Sequence, residues 1–228
     1  MPLTLDDDLK RKKESSRKAR DIGPPPKLTR HKTRKLVQDD LEAFLRIVFP
    51  EVFVWKFSND QKRSIQRFQD IATSGGLALE VEPRGNGKSA RSRGGVLWAI
   101  LTGRRRNVPV ICATTKMGKD QFLKPFKTIL RHNDILRSLF PSETHGFREL
   151  EAHNRSAAGQ LCLGEETGIS AGADSIIFPR IPGSKAVGSI ISAWGITGSI
   201  KGQSHTLHSG EIIRPDFVVI DDPQTSES

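Results

Sequence analysis

The stretch EVEPRGNGKSARSR, running from Glu80 to Arg93, decides how the fold is understood. Its central part, Gly85–Ser89, has the sequence GNGKS and matches the end of the phosphate-binding pattern G-x-x-x-x-G-K-[ST]. In that pattern, backbone N–H groups and the N-terminus of the following helix bind phosphate oxygens, while the lysine neutralises their charge. The position of the first glycine holds Glu82 instead. The stretch is therefore either a phosphate loop with an altered opening or a basic turn that matches by chance.

The surroundings of this stretch favour the phosphate loop. The run LALEV at Leu77–Val81 precedes it and predicts a short buried strand. A helix-compatible segment follows, from Lys88 to about Leu101, and Gly103 ends it. Since the loop pattern requires a strand before it and a helix after it, we predict that Gly85–Ser89 binds a phosphate group.

An acidic strand end far downstream supplies a second element of such a site. Four apolar residues at Phe217–Ile220 predict a buried strand, and Asp221 and Asp222 follow it directly. Two carboxylates at the end of a buried strand are costly unless a cation or hydrogen bonds compensate them. The alternative is a strand that simply ends in an Asp-Asp-Pro turn.

Composition restricts the class of protein. The 228 residues suffice for one substantial core, and no stretch reaches the roughly 18 apolar residues of a membrane helix. The two cysteines, Cys112 and Cys162, each lie beside apolar residues, which indicates reduced core residues of a cytosolic protein.

The net charge of +10 is concentrated near the N-terminus. From Lys10 to Lys35 there are 12 Lys and Arg against 2 acids, and 12 − 2 = +10. Because this part has almost no apolar residues, we predict a disordered basic arm at residues 1–35 and one folded domain at residues 36–228. The arm is either a solubilising tail or an electrostatic contact to nucleic acid.

The remaining periodicities alternate between helix and strand. Apolar spacing predicts helices at Leu36–Phe49 and Gln61–Ser74 and another at Lys119–His132. Pro125 either kinks this last helix or marks its start. Strands are predicted at Val108–Thr114, Ser175–Phe178 and Ile190–Trp194, the first starting late or at an edge because of Pro109. We therefore expect an α/β fold whose mostly parallel sheet carries helices on both faces.

Three segments together resemble the ATPase domain of a bacteriophage terminase large subunit, the motor that pumps double-stranded DNA into a procapsid. They are PRGNGKS at Pro83–Ser89, LWAILTGRRRNVPVICAT at Leu97–Thr114 and VVIDDPQTSES at Val218–Ser228. The similarity covers roughly residues 55 to 228 and implies a P-loop NTPase fold of the ASCE type. Because relatives continue beyond the acidic strand and add a nuclease domain, we expect the sheet to be incomplete at its C-terminal side.

The resemblance also implies roles for individual residues, with ATP and Mg²⁺ as the cofactors. It makes Arg84, four positions before Lys88, a residue that stabilises the γ-phosphate together with that lysine. Ser89 and Asp221 would hold Mg²⁺, and Asp222 would be the general base, with Glu227 as a fallback. Nucleotide contacts are implied for Gln61 at the adenine and, around the phosphates, for Arg84, Gly85, Asn86, Gly87, Lys88 and Ser89.

The partners implied by the resemblance are double-stranded DNA, the portal protein and the small terminase subunit, in a homo-oligomeric ring in the host cytoplasm. Two alternatives stay open. One is a superfamily 2-like helicase or another nucleic-acid translocase, although Asp-Asp-Pro-Gln differs from the acidic sequence usual there. The other is a non-catalytic remnant that binds DNA or assembly partners.

Overall fold

The fold is known from a computed structural model. It describes residues 20–83, 85–152, 159–198, 204–207 and 210–224, together with residues 11 and 13–16. The helices are α1 His31–Asp39, α2 Leu41–Val48, α3 Asn59–Ser74, α4 Lys88–Leu101, α5 Thr115–Gly118, α6 Lys124–His132, α7 Asp134–Leu139 and α8 Pro141–Ala152, with a π-helical turn at Lys119–Leu123 between α5 and α6. No helix among the described residues is long and apolar enough to cross a membrane.

The described strands form one main sheet and two short hairpins. The strands are β1 Asn107–Cys112, β2 Leu161–Cys162, β3 Glu165–Glu166, β4 Ser170–Ala171, β5 Ser175–Ile177, β6 Ile190–Gly195, β7 His205–Thr206, β8 Ile212–Ile213 and β9 Val219–Ile220. The main sheet has the order β4-β5-β6-β1-β9, while β2 pairs with β3 and β7 pairs with β8.

The α/β class predicted from the sequence is confirmed, but the main sheet is mixed. Strand β1 is parallel to both β6 and β9, whereas β5 is antiparallel to β4 and β6. The tight turn at 172–174 accounts for the β4–β5 pair, because such a short link can only join antiparallel strands. The prediction of a mostly parallel sheet is therefore corrected to a mixed one.

Pro109 lies inside the sheet, contrary to the late or edge strand predicted for it. Strand β1 begins at Asn107 and has neighbours on both sides, β6 and β9. Proline is tolerated there because the ladder to β9 starts only at Val110, so the missing N–H interrupts no bond to that strand.

The predicted helix Leu36–Phe49 is two helices. Asp40 separates α1 from α2 with an extended backbone (φ −132°, ψ 112°), and its carboxylate accepts a hydrogen bond from the Ala43 amide at 3.0 Å. Aspartate is a strong N-cap residue, so the sequence QDD ends one helix and begins the next.

Part of the predicted disordered arm has a defined course. The Asp21 carboxylate accepts hydrogen bonds from the amides of Leu163 and Gly164 at 3.0 and 2.6 Å, beside a bridge to Leu161. Helix α1 then starts at His31, inside the region expected to be extended. Residues 1–10 lie outside the described residues. The half-buried Asp21 carboxylate and helix α1 thus anchor the chain from near residue 20, within the region predicted as a disordered arm.

The strand predicted at Leu77–Val81 joins no sheet. Leu77, Leu79 and Val81 are 97%, 84% and 86% exposed, while Glu80 and Glu82 between and after them are turned inward. The reason lies in two arginines on neighbouring helices: Arg67 pairs with Glu80, and a second arginine pairs with Glu82. These ion pairs hold the two glutamates against the protein, so the leucines and the valine that alternate with them face the solvent.

Helix α4 is the most buried helix of the described core. Every residue from Gly94 to Leu101 is buried, and α2 and α3 pack against this part of the helix. Two glycines permit that approach: a Cβ on Gly94 would lie 2.1 Å from Leu45 Cδ2, and one on Gly95 would lie 2.5 Å from the Phe68 ring. This packing fixes the N-terminus of α4, where the glycine loop ends.

Candidate phosphate-loop and acidic-strand site

The glycine loop turns sharply into α4. Gly85 and Gly87 have φ values of +84° and +75°, a left-handed conformation that glycine adopts without strain. Gly87 is the N-cap of α4, and no side chain caps the helix. The amides of its first turn therefore have no side-chain acceptor, which is the arrangement that binds anions at helix N-termini. Lys88 is the first residue of α4, as the loop pattern requires.

Glu82, at the position of the absent first glycine, is part of an ion pair inside the loop. Both of its carboxylate oxygens accept a hydrogen bond from Arg91 Nη2 at 2.5 Å, and one of them accepts a bond from Asn86 Nδ2 at 2.7 Å. Arg91 is only 6% exposed and also donates to the Asn86 carbonyl at 2.6 Å. We call this pair the Glu82–Arg91 clasp; it joins the start of the loop to the second turn of α4.

The clasp also determines the protonation of Glu82. Burial by itself raises the pKa of this carboxyl, but the hydrogen bond and charge of Arg91 act against it, assisted by Asn86 and Ser64. The result is a pKa below the ordinary value of a glutamate. Glu82 is therefore ionised at neutral pH, and the loop holds one negative charge that a glycine would not bring.

Gln61 is bound to the loop and to its own helix. Its Nε2 donates to the Asn86 carbonyl and to Asn86 Oδ1 at 3.2 and 2.9 Å, and its Oε1 accepts from the Ser58 amide at 3.0 Å. The Ser58 hydroxyl accepts from the Gln61 amide in return, which completes a capping box at the start of α3. Both Nε2 hydrogens are thus in use, so donation to an adenine nitrogen would require one of these bonds to open, whereas Oε1 keeps a second lone pair for an adenine amine.

The two aspartates follow β9 at the carboxyl end of the sheet. Ile220 is in register with Ile111, and the Asp221 amide donates to the Ile111 carbonyl at 2.9 Å. The Asp222 carbonyl accepts from the Ala113 amide at 3.2 Å, and its φ of +46° is unusual for a residue other than glycine. This turn leaves Asp221 buried and Asp222 exposed.

Asp221 contains the least satisfied polar atom of this region. The residue is 3% exposed, and its Oδ2 has no hydrogen-bond partner among the described residues. The pKa of the nearby Cys112 thiol is raised to about 11. Burial is the main cause, and the negative charges of Asp221 and Asp222 contribute. Buried carboxylate oxygens without a partner are rare, and a bound cation is one way to compensate them.

The lengths of α4 and β1 are compatible with a phosphate loop at the carboxyl edge of the sheet. Helix α4 has 14 residues, about 21 Å at 1.5 Å per residue, and β1 has 6 residues, about 20 Å at 3.3 Å per residue. A short link joins the end of α4 to the start of β1, and both elements share one core cluster. If β1 runs back along α4, the Cys112 end of β1, which is also the Asp221 end, is level with Lys88. That placement belongs to the functional proposal, since the main contacts of α4 among the described elements are with α2 and α3.

Lys88 and Asp221 do not form an ion pair. Within 4.0 Å, the Lys88 amine meets neither aspartate nor another carboxylate of the described residues. The described residues also contain no cluster of three or more His, Cys, Asp or Glu able to hold a metal ion. A hydroxyl and a single carboxylate nevertheless suit Mg²⁺, which keeps several waters and binds proteins mostly together with substrate phosphates.

Some predicted residues cannot be placed, and others were missed. Arg84 and Glu227 lie outside the described residues. The buried Arg91 was missed because a run of arginines at a helix start is typical of a solvated surface. Its spacing of nine residues from Glu82 could have indicated the pair only if the loop conformation had been known.

Comparison with known proteins adds no relative. No family model matches the chain, and neither curated proteins nor solved structures gave a match. The functional conclusions therefore depend on the residues and geometry of this chain.

Proposed function

We propose that the chain is an ATP-hydrolysing motor domain of the P-loop type, related to the large terminase subunit and acting on double-stranded DNA. Two observations carry this proposal: the buried Oδ2 of Asp221, which has no partner among the described residues, and the uncapped N-terminus of α4. An uncapped glycine-rich helix start favours phosphate, and a buried carboxylate without a partner favours the cation that accompanies phosphate.

Each residue of the proposed site has its own role in ATP hydrolysis. Backbone amides of Gly85–Ser89 and the Lys88 amine bind the phosphates, and they lower the cost of the charge that develops during transfer. The Ser89 hydroxyl and Asp221 hold Mg²⁺, which when bound neutralises phosphate charge. Asp222 is exposed beside Asp221, so it can accept a proton from a water aligned with the γ-phosphate. In this proposal, the Arg84 guanidinium adds positive charge beside the γ-phosphate.

The Glu82–Arg91 clasp supports this assignment despite the missing glycine. The loop opening is stabilised by an ion pair where a glycine would permit a tight turn, while Gly85 and Gly87 still provide the left-handed positions next to the helix. Because the Glu82 charge is neutralised by Arg91, it need not repel a phosphate bound at the helix N-terminus.

ATP turnover in the presence of duplex DNA tests the proposal. Asp222→Asn keeps the shape but loses the base, so kcat should fall by about 10²- to 10⁴-fold while nucleotide affinity stays near that of the parent. Lys56→Ala, an exposed lysine outside the loop, is the matched control for expression and folding. If Asp222→Asn turns over ATP within a few-fold of the parent, Asp222 is not the base. If the parent shows no turnover, the proposed ATPase activity is refuted.

One observation favours a second candidate, a non-catalytic protein that binds DNA or assembly partners. Leu77–Val81, which should be a buried strand before a phosphate loop, is exposed and belongs to no sheet. Saturable ATP binding distinguishes the candidates, since the non-catalytic one predicts none.

A further inference from the structure

A cleft lined by lysines lies between the α5–α6 region and the turn that joins β4 to β5. Its volume is about 380 Å³. Lys116 and Lys124 are exposed, whereas Lys119 and Lys127 are half-buried. The lining residues are Lys116, Lys119, Asp120, Leu123, Lys124, Lys127 and Ala173.

A π-helical turn aligns these lysines. The Lys124 amide donates to the Lys119 carbonyl, five residues back, so these two residues lie one turn apart on the same side. In an α-helix they would point about 140° apart. Pro125 explains the irregularity: without an N–H it cannot bond the Gln121 carbonyl, which accepts from Arg93 Nη1 at 2.9 Å instead. Such turns occur often at functional sites.

Positive charge in the cleft is only partly compensated. Lys119 pairs with Asp174 and Lys124 with Asp120, but Lys116 forms no ion pair with a described carboxylate. The Lys127 amine donates to the Gly172 carbonyl at 2.5 Å, a neutral partner. Burial lowers the pKa of Lys127, and the cations Arg131, Lys119 and Lys124 lower it further. An anion in the cleft would relieve this repulsion.

We infer that this cleft binds the phosphate backbone of duplex DNA through Lys116, Lys119, Lys124 and Lys127. The inference takes its partner from the proposed function, but it requires no nucleotide chemistry. From Lys116 to Lys127 the helical run extends about 16 Å, and one DNA strand presents a phosphate every 3.4 Å of axis, so the row spans several phosphates. A single phosphate ion could not contact all four amines.

The chemistry of the lining favours this ligand over other polyanions. Lysine is a flexible point charge that suits sequence-independent backbone contacts, whereas phosphopeptide sites use the planar fork of arginine. An anionic membrane surface would favour exposed apolar or aromatic residues beside the cations, but Leu123, the larger apolar residue of the lining, is buried.

Fluorescence anisotropy of the full chain with a labelled duplex of about 20 base pairs, without nucleotide and over a range of salt, tests the inference. Lys116→Gln/Lys124→Gln removes the two exposed amines, so Kd should rise at least about tenfold. The salt slope should fall by about 2, close to 0.9 for each of two lost contacts. Lys56→Gln/Lys185→Gln removes the same charge at two exposed positions outside the cleft and outside the basic arm, and it should change both quantities little.

Three outcomes would overturn the inference: absence of duplex binding by the parent, equal behaviour of the two double variants, or a loss confined to anionic vesicles, a phosphopeptide or inorganic phosphate. ATP binding by the cleft variant separates this inference from the proposed function. If ATP binds neither variant nor parent while the duplex difference persists, the nucleotide site fails and the cleft stands. If ATP binds normally and the duplex difference is absent, the cleft fails alone.

Discussion

Glu82 and the buried Arg91 form an ion pair across the glycine loop, with both carboxylate oxygens 2.5 Å from the same guanidinium nitrogen. The pair holds the position where phosphate loops have their first glycine. Where phosphate loops have a conformationally free glycine, this loop is held to α4 by an ion pair.

The clasp predicts a large stability loss in Glu82→Ala. Arg91 would remain buried without its counter-ion, and removing one partner of a buried pair costs about 3 kcal/mol. Urea denaturation at neutral pH measures this loss. Glu80→Ala is the matched control, because its pair with Arg67 is partly exposed and contributes at most about 1 kcal/mol. Equal effects of the two substitutions would contradict the clasp.

The clasp also predicts a pH dependence of that difference. The folded pKa of Glu82 is lowered, so its stabilising contribution is complete above the ordinary glutamate pKa and is lost as pH falls through the lowered value. The free energies of unfolding of the parent and Glu82→Ala should therefore approach each other only in that acidic range. A gap that is constant down to the lowest pH at which both variants fold would show that the carboxylate charge plays no part.

Gln61→Ala should weaken ATP and GTP binding by the same factor. Its amide is bound to Asn86 and Ser58, so its loss loosens the loop and leaves no base-specific effect. Titration with both nucleotides measures this. Gln66→Ala on the same helix is the control, since the Gln66 side chain donates to Asp70 and not to the loop. A loss confined to ATP would restore the adenine contact expected from the resemblance.

Leu79→Glu should leave stability within about 0.5 kcal/mol of the parent. Leu79 is 84% exposed, and substitutions at such positions are usually small in effect. Phe44→Ala, at a fully buried position, provides the scale and should cost about 3–5 kcal/mol. If Leu79→Glu unfolds the chain, Leu77–Val81 is a buried strand in solution.

Gly95→Ala should destabilise the chain by about 1–3 kcal/mol even though alanine favours helices. The new methyl group would lie 2.5–2.8 Å from three atoms of the Phe68 ring, which cannot move away without disturbing the core. Ser92→Ala on the same helix is the control and should have a small effect. A stabilised Gly95→Ala would show that α3 and α4 are less closely packed.

Periodicity predicted the helical core well. Within the predicted helix Leu36–Phe49, Leu41, Phe44, Leu45 and Val48 are all buried, and the predicted helix Gln61–Ser74 corresponds to α3. These features are local, because side-chain spacing and capping act within a few residues. The β4–β5 turn and the π-helical turn are each determined by two or three individual residues. Apolar periodicity does not detect such features.

The sequence predicted the candidate site only as two separate halves. It indicated Lys88 and Asp221 through their neighbours, but pairing of Glu82 with Arg91 depends on a loop conformation. Leu77–Val81 shows the same limit: its alternation fits a strand, and long-range ion pairs decide which face is inward. Tertiary charge pairing overrode local preference at that segment.

Calorimetric titration with ATP, with and without Mg²⁺, tests the central claim most directly when the parent is compared with Asp221→Asn and Lys88→Ala. We expect the parent to bind ATP more tightly with Mg²⁺, Asp221→Asn to lose that gain while keeping its Mg²⁺-free affinity, and Lys88→Ala to lose affinity in both conditions. Absence of saturable ATP binding by the parent, or an unchanged Mg²⁺ gain in Asp221→Asn, would contradict a nucleotide site between the glycine loop and the acidic strand end.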